Sequence, residues 1–131
     1  MKTEYFDLKN KRALVSGGAS GIGSSIVEHL CEQGVEVYFF DINKNEAKKT
    51  INKIKKKKFK TPSFVECNIK NIKKYKSSIL NIIKKQGPID ILVNNASNDQ
   101  RHSLEKITEK YWDDRMAINL KHYLFAIQSV K

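Results

Sequence analysis

The groups in this chain best placed to do chemistry are backbone amides that glycine lays bare. Gly17, Gly21 and Gly23 follow a short apolar run, Ala13-Leu14-Val15, and Ile26, Val27 and Leu30 come next at helical spacing. That order predicts a strand from about Arg12 to Ser16, a tight turn, and a helix from about Ile22 to Gln33 that stops at Gly34. A turn of this kind aims N–H groups outward and adds the positive end of a helix dipole near Ile22, which together suit a phosphate. On this reading Gly17 turns the chain out of the strand, Gly21 has no side chain to hold a pyrophosphate off the backbone, and Gly23 lets the helix lie close to the sheet. A plain tight turn is the competing reading, and only context separates the two.

One carboxylate supplies context. Asp41 ends the run Val35-Glu36-Val37-Tyr38-Phe39-Phe40, about 20 residues past the glycine turn, where it can accept hydrogen bonds from an adenosine ribose. Its other reading is a turn aspartate before Asn43. Metal chemistry is not expected: His29, His102 and His122 fall on separate elements, and Cys31 and Cys67 form neither a C-x-x-C pair nor a disulfide framework.

These residues need a scaffold, and the chain spells one out. After a polar lead-in and the first strand and helix, Val35–Phe40 reads as a strand buried on both faces. A lysine-rich helix spans about Lys44 to Lys58, then a turn at Thr61-Pro62 and a strand from Ser63 to Cys67. A helix from about Ile72 to Gln86 places Tyr75, Ile79, Ile82 and Ile83 on one side, and Gly87-Pro88 stops it. A fourth strand covers Ile89 to Val93. After a loop to about Ile107, a last helix with Thr108 as N-cap spaces Trp112, Met116, Leu120, Leu124 and Ile127 for burial. Four strands alternating with four helices predict one α/β domain with a parallel sheet covered on both faces. The ligand crevice of such a sheet opens at the carboxyl ends of its strands, and each motif above follows a strand, which favours a dinucleotide site.

Ser16-Gly17-x-x-x-Gly21-x-Gly23 resembles the T-G-x-x-x-G-x-G fingerprint of the short-chain dehydrogenase/reductase family, with Ser16 for the threonine. The resemblance implies a Rossmann-type doubly wound sheet that binds NAD. Ser20 stands where the family carries a basic residue when it prefers NADP, and a 2′-phosphate would be repelled by Asp41, so NAD is expected over NADP. Asn68-Ile69 resembles the Asp-Val pair that touches adenine; the amide can still accept a hydrogen bond, although a simple strand-ending asparagine reads the same way. Asn94-Asn95-Ala96-Ser97 resembles the N-N-A-G motif that braces the sheet and flanks the cofactor. Asn119, in Ile118-Asn119-Leu120-Lys121, matches the asparagine of the catalytic tetrad, which bends its helix and holds a water in the proton relay; outside that motif it reads as an exposed helix residue. The run Ala96-Ser97-Asn98-Asp99-Gln100-Arg101-His102 resembles members that oxidise sugars at the anomeric carbon, with a polar solvent loop as the alternative.

The family's hydride chemistry also uses a serine and a Tyr-x-x-x-Lys pair, in which the lysine charge lowers the tyrosine pKa for proton exchange with the substrate. The one formal match, Tyr5 to Lys9, lies ahead of the first strand and is rejected. Residues 1–131 are therefore expected to be the N-terminal part of a longer domain that lacks its catalytic half. The resemblance implies an oxidoreductase acting on an alcohol or carbonyl substrate, a sugar among the candidates, and a homo-oligomer paired through the last helix. The alternative is a cofactor-binding module without catalysis.

Composition sets the remaining bounds. The formal net charge is +11, and nine lysines crowd between Lys44 and Lys60 against Glu46 alone. With Ala47, Ile51 and Ile54 at helical spacing, they read as the wet faces of one amphipathic helix; nucleic-acid binding is the weaker reading, since only Phe59 offers a stacking aromatic. No apolar run approaches the ~18 residues of a membrane span. Met1 to Asp7 is mixed polar and does not read as a signal peptide, so a cytoplasmic setting is expected.

Overall fold

The computed structural model describes residues 3–131; Met1 and Lys2, part of the polar lead-in, lie outside the described residues. Four parallel strands, β1 (Arg12–Ser16), β2 (Glu36–Asp41), β3 (Ser63–Glu66) and β4 (Ile91–Asn94), lie in the order β3-β2-β1-β4. Helices α1 (Gly21–Glu32), α2 (Lys44–Lys56) and α3 (Ile72–Gln86) connect them, followed by α4 (Glu109–Met116), a π turn at Ala117–Lys121, and α5 (His122–Val130). The chain builds outward from β1 through β2 to β3, then crosses back to place β4 on the other side of β1. The crossovers put helices on both faces, so the strands must be apolar on both.

The period-two alternation of the strands divides the core into two layers. Ala13, Val15, Val37 and Phe39 face α1 and α2, where they meet Val27, Cys31, Ala47 and Ile54. Leu14, Tyr38 and Phe40 point the other way, onto Tyr75, Ile79 and Ile82 of α3 and Ala126 of α5. Tyr75 is fully buried, edge-on to Phe40 at 5.0 Å between ring centroids. Burial pushes the Cys31 thiol up to about 12 and also raises Cys67, so both behave as small apolar side chains.

Helix ends follow the local sequence. Asn43, Asn71 and Thr108 cap α2, α3 and α4 by accepting the N–H of Glu46, Lys74 and Tyr111. Helix α1 ends in a Schellman arrangement: Gly34 adopts φ +78° and the Val35 N–H reaches the Leu30 carbonyl at 3.0 Å. At the foot of the sheet Arg12 pairs with Glu36 at 2.9 Å and donates to the Pro88 carbonyl, fixing the edge remote from the glycine turn.

One expectation is refined: the last helix changes from α to π geometry over Ala117–Lys121, the turn that carries Asn119. Its large apolar stripe is only partly covered: Trp112, Leu120, Leu124 and Ile127 are between 52% and 58% exposed. Helix α5 carries a second, smaller face of His122, Ala126 and Ser129, and that face packs on α3 and β4 because the bulky Tyr75, Ile79 and Ile82 already fill the layer. Strand β4 is an outer strand of the four, and its residues are only half-buried.

The lysine-rich α2 turns Lys44, Lys48, Lys49, Lys55 and Lys56 to solvent and buries Ala47, Thr50 and Ile54. Lys53 and Lys57 reach across to Glu28 of α1, whose side chain is 10% exposed. Among the described residues no helix is long and apolar enough to cross a membrane. The Lys53 and Lys57 hydrogen bonds outweigh burial and hold the Glu28 carboxyl below its ordinary value of 4.5. The stabilisation is therefore complete above pH 4.5 and is lost as the pH falls through the lower folded value. Glu28→Gln should cost ~1 kcal/mol at neutral pH, a figure reduced for the exposed lysine ends, and should flatten the acid limb of stability measured by urea unfolding. An unchanged acid limb would contradict this.

Candidate functional site

At the carboxyl ends of the strands, where the connections leave β1 and β4 in opposite directions, lies a cleft of about 640 Å³. Its walls come from the glycine turn (Gly17, Ser20, Ile22, Gly23), the end of β2 (Phe40, Asp41, Ile42), the segment Cys67–Lys70, the segment Asn95–Asn98, and Asp114, Arg115 and Ile118. Of the expected site residues, Gly17, Ser20, Ile22, Gly23, Asp41, Asn68, Ile69, Asn95 and Ala96 line it. Ser16, Gly21, Asn94 and Asn119 do not.

The glycine turn is set by close packing. A Cβ on Gly23 would collide with the Gly17 carbonyl oxygen and stand 2.6 Å from Asn95 Nδ2, so only glycine lets α1 start this close to the sheet. Gly18, which the sequence pattern did not single out, is equally constrained: its Cβ would lie 2.6 Å from Cβ of Phe39. Gly21 is constrained in another way. A Cβ there meets nothing within 4 Å, and its requirement for glycine comes from φ +53°. It sits on the outer side of the turn, beside Ile22, Ser25, Ile26, His29 and Leu30.

Helix α1 begins without a side-chain cap, since Ser20 makes no capping hydrogen bond. Its first N–H groups thus stay available at the cleft wall, an arrangement that suits an anion. The backbone of Ala19 is held through both its N–H and its carbonyl. Its N–H donates to Asp41 Oδ2 at 3.0 Å, and its carbonyl accepts from Thr50 Oγ1 at 2.8 Å. Asp41 Oδ1 also accepts from the Asn43 N–H at 2.9 Å, so the turn role and the cleft role coexist in one carboxylate. A carboxylate offers about four acceptor sites, which leaves capacity for a ribose. Asn68 accepts from the Lys70 N–H in a local turn, and Ile69 adds an apolar wall.

Asn95 braces the seam between β1 and β4. Its Nδ2 donates to the carbonyls of Ser16 and Gly17 at 3.1 and 3.0 Å. Ser16 was expected at the ligand but is fully buried, and its Oγ accepts the N–H groups of Asn95 and Ala96 at 3.0 and 3.1 Å. Its hydroxyl is committed to the scaffold. Asn94 ends β4, and its Oδ1 is buried without a hydrogen-bond partner among the described residues.

Asn119 lies in the π turn, and its side-chain amide clamps the backbone of Asn98. Oδ1 accepts the Asn98 N–H at 2.7 Å, and Nδ2 donates to the Asn98 carbonyl at 2.9 Å. The following loop is held in turn by Tyr111, whose hydroxyl donates to the Gln100 carbonyl at 2.6 Å and whose ring stacks on His102 at 4.1 Å. Across the cleft Lys70 donates to Asp114 at 2.8 Å, and Arg115 pairs with the same carboxylate at 3.0 Å. Lys70 first, then Arg115, holds the Asp114 carboxyl below the ordinary range. No motif marks these three residues in the sequence; Lys70 meets the adjacent Asp114 and Arg115 only through the fold. Among the described residues no group of His, Cys, Asp and Glu could hold a metal ion.

The profile of the family described as short chain dehydrogenase matches residues 11–131. A D-xylose 1-dehydrogenase of Caulobacter vibrioides is 37% identical over 126 residues, which is 96% of this chain and 49% of the relative. A 3-oxoacyl-[acyl-carrier-protein] reductase, FabG, of Staphylococcus epidermidis is 34% identical over 122 residues, 92% of this chain and 50% of the relative. The structure of Thermoplasma acidophilum aldohexose dehydrogenase, in ligand-free form, superposes with a TM-score of 0.81 at 29% identity, covering 96% of this chain and 45% of that one. The chain thus spans about half the length of the curated relatives it matches.

Gly23→Ala should lower stability by ~3 kcal/mol, because the atoms its methyl would meet belong to the backbone of Gly17 and the side chain that braces it. Thermal unfolding checks this, and an unchanged midpoint would contradict the close-approach account.

Proposed function

The chain belongs to the short-chain dehydrogenase/reductase family, and from that premise we propose that it forms the NAD-binding part of an oxidoreductase acting on an alcohol or carbonyl substrate, a sugar in the first instance. The observation that carries this is the meeting, in one cleft, of an uncapped helix N-terminus and the Asp41 carboxylate. NAD bound here supplies hydride transfer at its nicotinamide ring. The chain's own residues bind and orient it. The first N–H groups of α1 receive the pyrophosphate, Asp41 accepts from the adenosine ribose, Asn68 and Ile69 border the adenine, and the Asn95-Ala96 turn flanks the far half. Asn119 holds the loop that follows and, in the role the family gives it, serves the proton relay.

NAD is favoured over NADP because a 2′-phosphate beside Asp41 meets like charge, and Ser20 offers no cation to offset it. For the substrate, the clamped loop at Asn98 to His102 presents Asp99, Gln100 and Arg101, all exposed, as hydrogen-bonding groups suited to a polyol. The relatives named for xylose and aldohexose support a sugar, and the reductase named for an acyl-carrier-protein substrate makes this loop the feature to test. Turnover is assigned to the complete protein, in which the family's serine and Tyr-x-x-x-Lys pair complete the site. We further assign the exposed stripe Trp112, Leu120, Leu124 and Ile127 to pairing with a second copy.

Asp41→Asn retains one acceptor for its backbone partners but removes the charge. It should weaken NAD about tenfold and narrow the gap between NAD and NADP in calorimetric titration. A wild-type protein that binds NADP more tightly than NAD would overturn the assignment. For the pairing, a monomer in sedimentation velocity of the complete protein would do the same.

A further inference from the structure

A buried histidine that no part of the cofactor reading uses lies directly beneath the seam. His122 is fully buried at the start of α5. Its Nδ1 stands 2.7 Å from the Ile118 carbonyl oxygen, and its Nε2 stands 3.3 Å from Ser16 Oγ. A carbonyl oxygen only accepts, so Nδ1 carries the hydrogen, and in the neutral ring Nε2 carries a lone pair. Ser16 Oγ already accepts two N–H groups, from Asn95 and Ala96, which use both of its lone pairs. The hydroxyl proton remains to be placed. Three groups lie near it: Nε2 of His122 at 3.3 Å, the Val93 carbonyl at 3.5 Å, and the buried Tyr75 hydroxyl beyond hydrogen-bond distance, so Nε2 is the nearest acceptor.

We propose that His122 is a positioning residue of the dinucleotide site: as the neutral Nδ1–H imidazole it receives the Ser16 hydroxyl proton and so holds the Ser16 lone pairs on the amides of Asn95 and Ala96. Those two residues form one wall of the cleft, so the ring acts on the site through Ser16 without touching a ligand. A second proton on the ring would place an Nε2–H donor against an oxygen whose lone pairs are both taken, and one of the three contacts would have to break. Nothing around the ring welcomes that proton. The titratable groups that face it are Tyr75 of α3, edge-on at 6.1 Å with Cys67 beside it, and Tyr123 of its own helix at 4.5 Å. None is a carboxylate, and burial depresses the imidazole pKa below its ordinary 6.5, with the Ile118 carbonyl opposing. Since the folded value is lowered, the wall is intact above it and loosens as the pH falls through it. The consequence is a cofactor site that weakens in acid. This rests on the NAD-binding reading above, but the tautomer it requires can be observed without cofactor.

The test combines imidazole ¹⁵N NMR with NAD titrations between about pH 8 and pH 5 on wild type, His122→Gln and His122→Phe. The Nδ1–H tautomer is expected. NAD affinity of the wild type should fall as the pH drops through the lowered imidazole value, by about tenfold once the ring is protonated, the size of one lost buried hydrogen bond. His122→Gln, whose Oε1 can accept the Ser16 proton but does not titrate, should hold near wild-type affinity at neutral pH with a flat profile. His122→Phe should bind about tenfold more weakly at every pH. An Nε2–H tautomer, a Gln variant that keeps the wild-type pH profile, or a Phe variant that binds like wild type would each overturn the proposal. If the tautomer is as expected but no protein binds NAD at any pH, the cofactor reading fails, and the binding role of His122 fails with it.

Discussion

The site depends on one seam. Strand β1 is followed by a connection toward β2, and β4 arrives from the opposite side, so the chain after each strand leaves in its own direction and a gap opens between them. Left unbraced, the end of that gap would expose carbonyls and N–H groups with no ladder partner. Asn95 and Ser16 close it from two sides, one with its side-chain amide on the carbonyls of Ser16 and Gly17, the other with its hydroxyl under the amides of Asn95 and Ala96. These are short-range contacts between residues 78 to 80 positions apart in the chain, and they convert a topological gap into a cleft of defined shape.

The glycine turn is tied to that brace and to β2. Gly23 brings α1 onto the Gly17 carbonyl, which Asn95 already holds. The N–H groups of Gly17 and Gly18 both donate to the Phe40 carbonyl, at 2.7 and 3.3 Å, so the turn is also tied to β2. Asp41 and Thr50 fix the Ala19 backbone from the opposite wall. Rigid backbone on three sides is what lets an uncapped helix end keep unsatisfied donors near a cleft rather than fold over them.

Much of this was legible in residue order because the signals are local. The apolar runs of Ala13 to Val15 and of Val35 to Phe40, the cap at Thr108, and the Gly34 stop each act within a few residues, and the strands and helices fall close to where they imply. Strand ends shifted by a residue or two, since pairing with the neighbour and not composition decides where a ladder stops. Three features were not legible. The burial of Ser16 was hidden because a hydroxyl before a glycine turn reads the same whether it meets a ligand or the scaffold. The packing face of α5 was not legible because two faces were available, and the space left by Tyr75 and Ile82 admits the small one. The cluster of Lys70, Asp114 and Arg115 arises from elements brought together by the fold, and no spacing along the chain announces it.

The central claim is that a nicotinamide dinucleotide lies along this cleft. Its most direct test is an amide NMR titration of the protein with NAD. Saturable shifts are predicted at Ser20, Ile22, Gly23, Asp41, Ile69, Asn95 and Ala96, with the solvent-facing lysines of α2 unaffected. The absence of saturable shifts in that set, or shifts confined to the lysine face, would contradict the account.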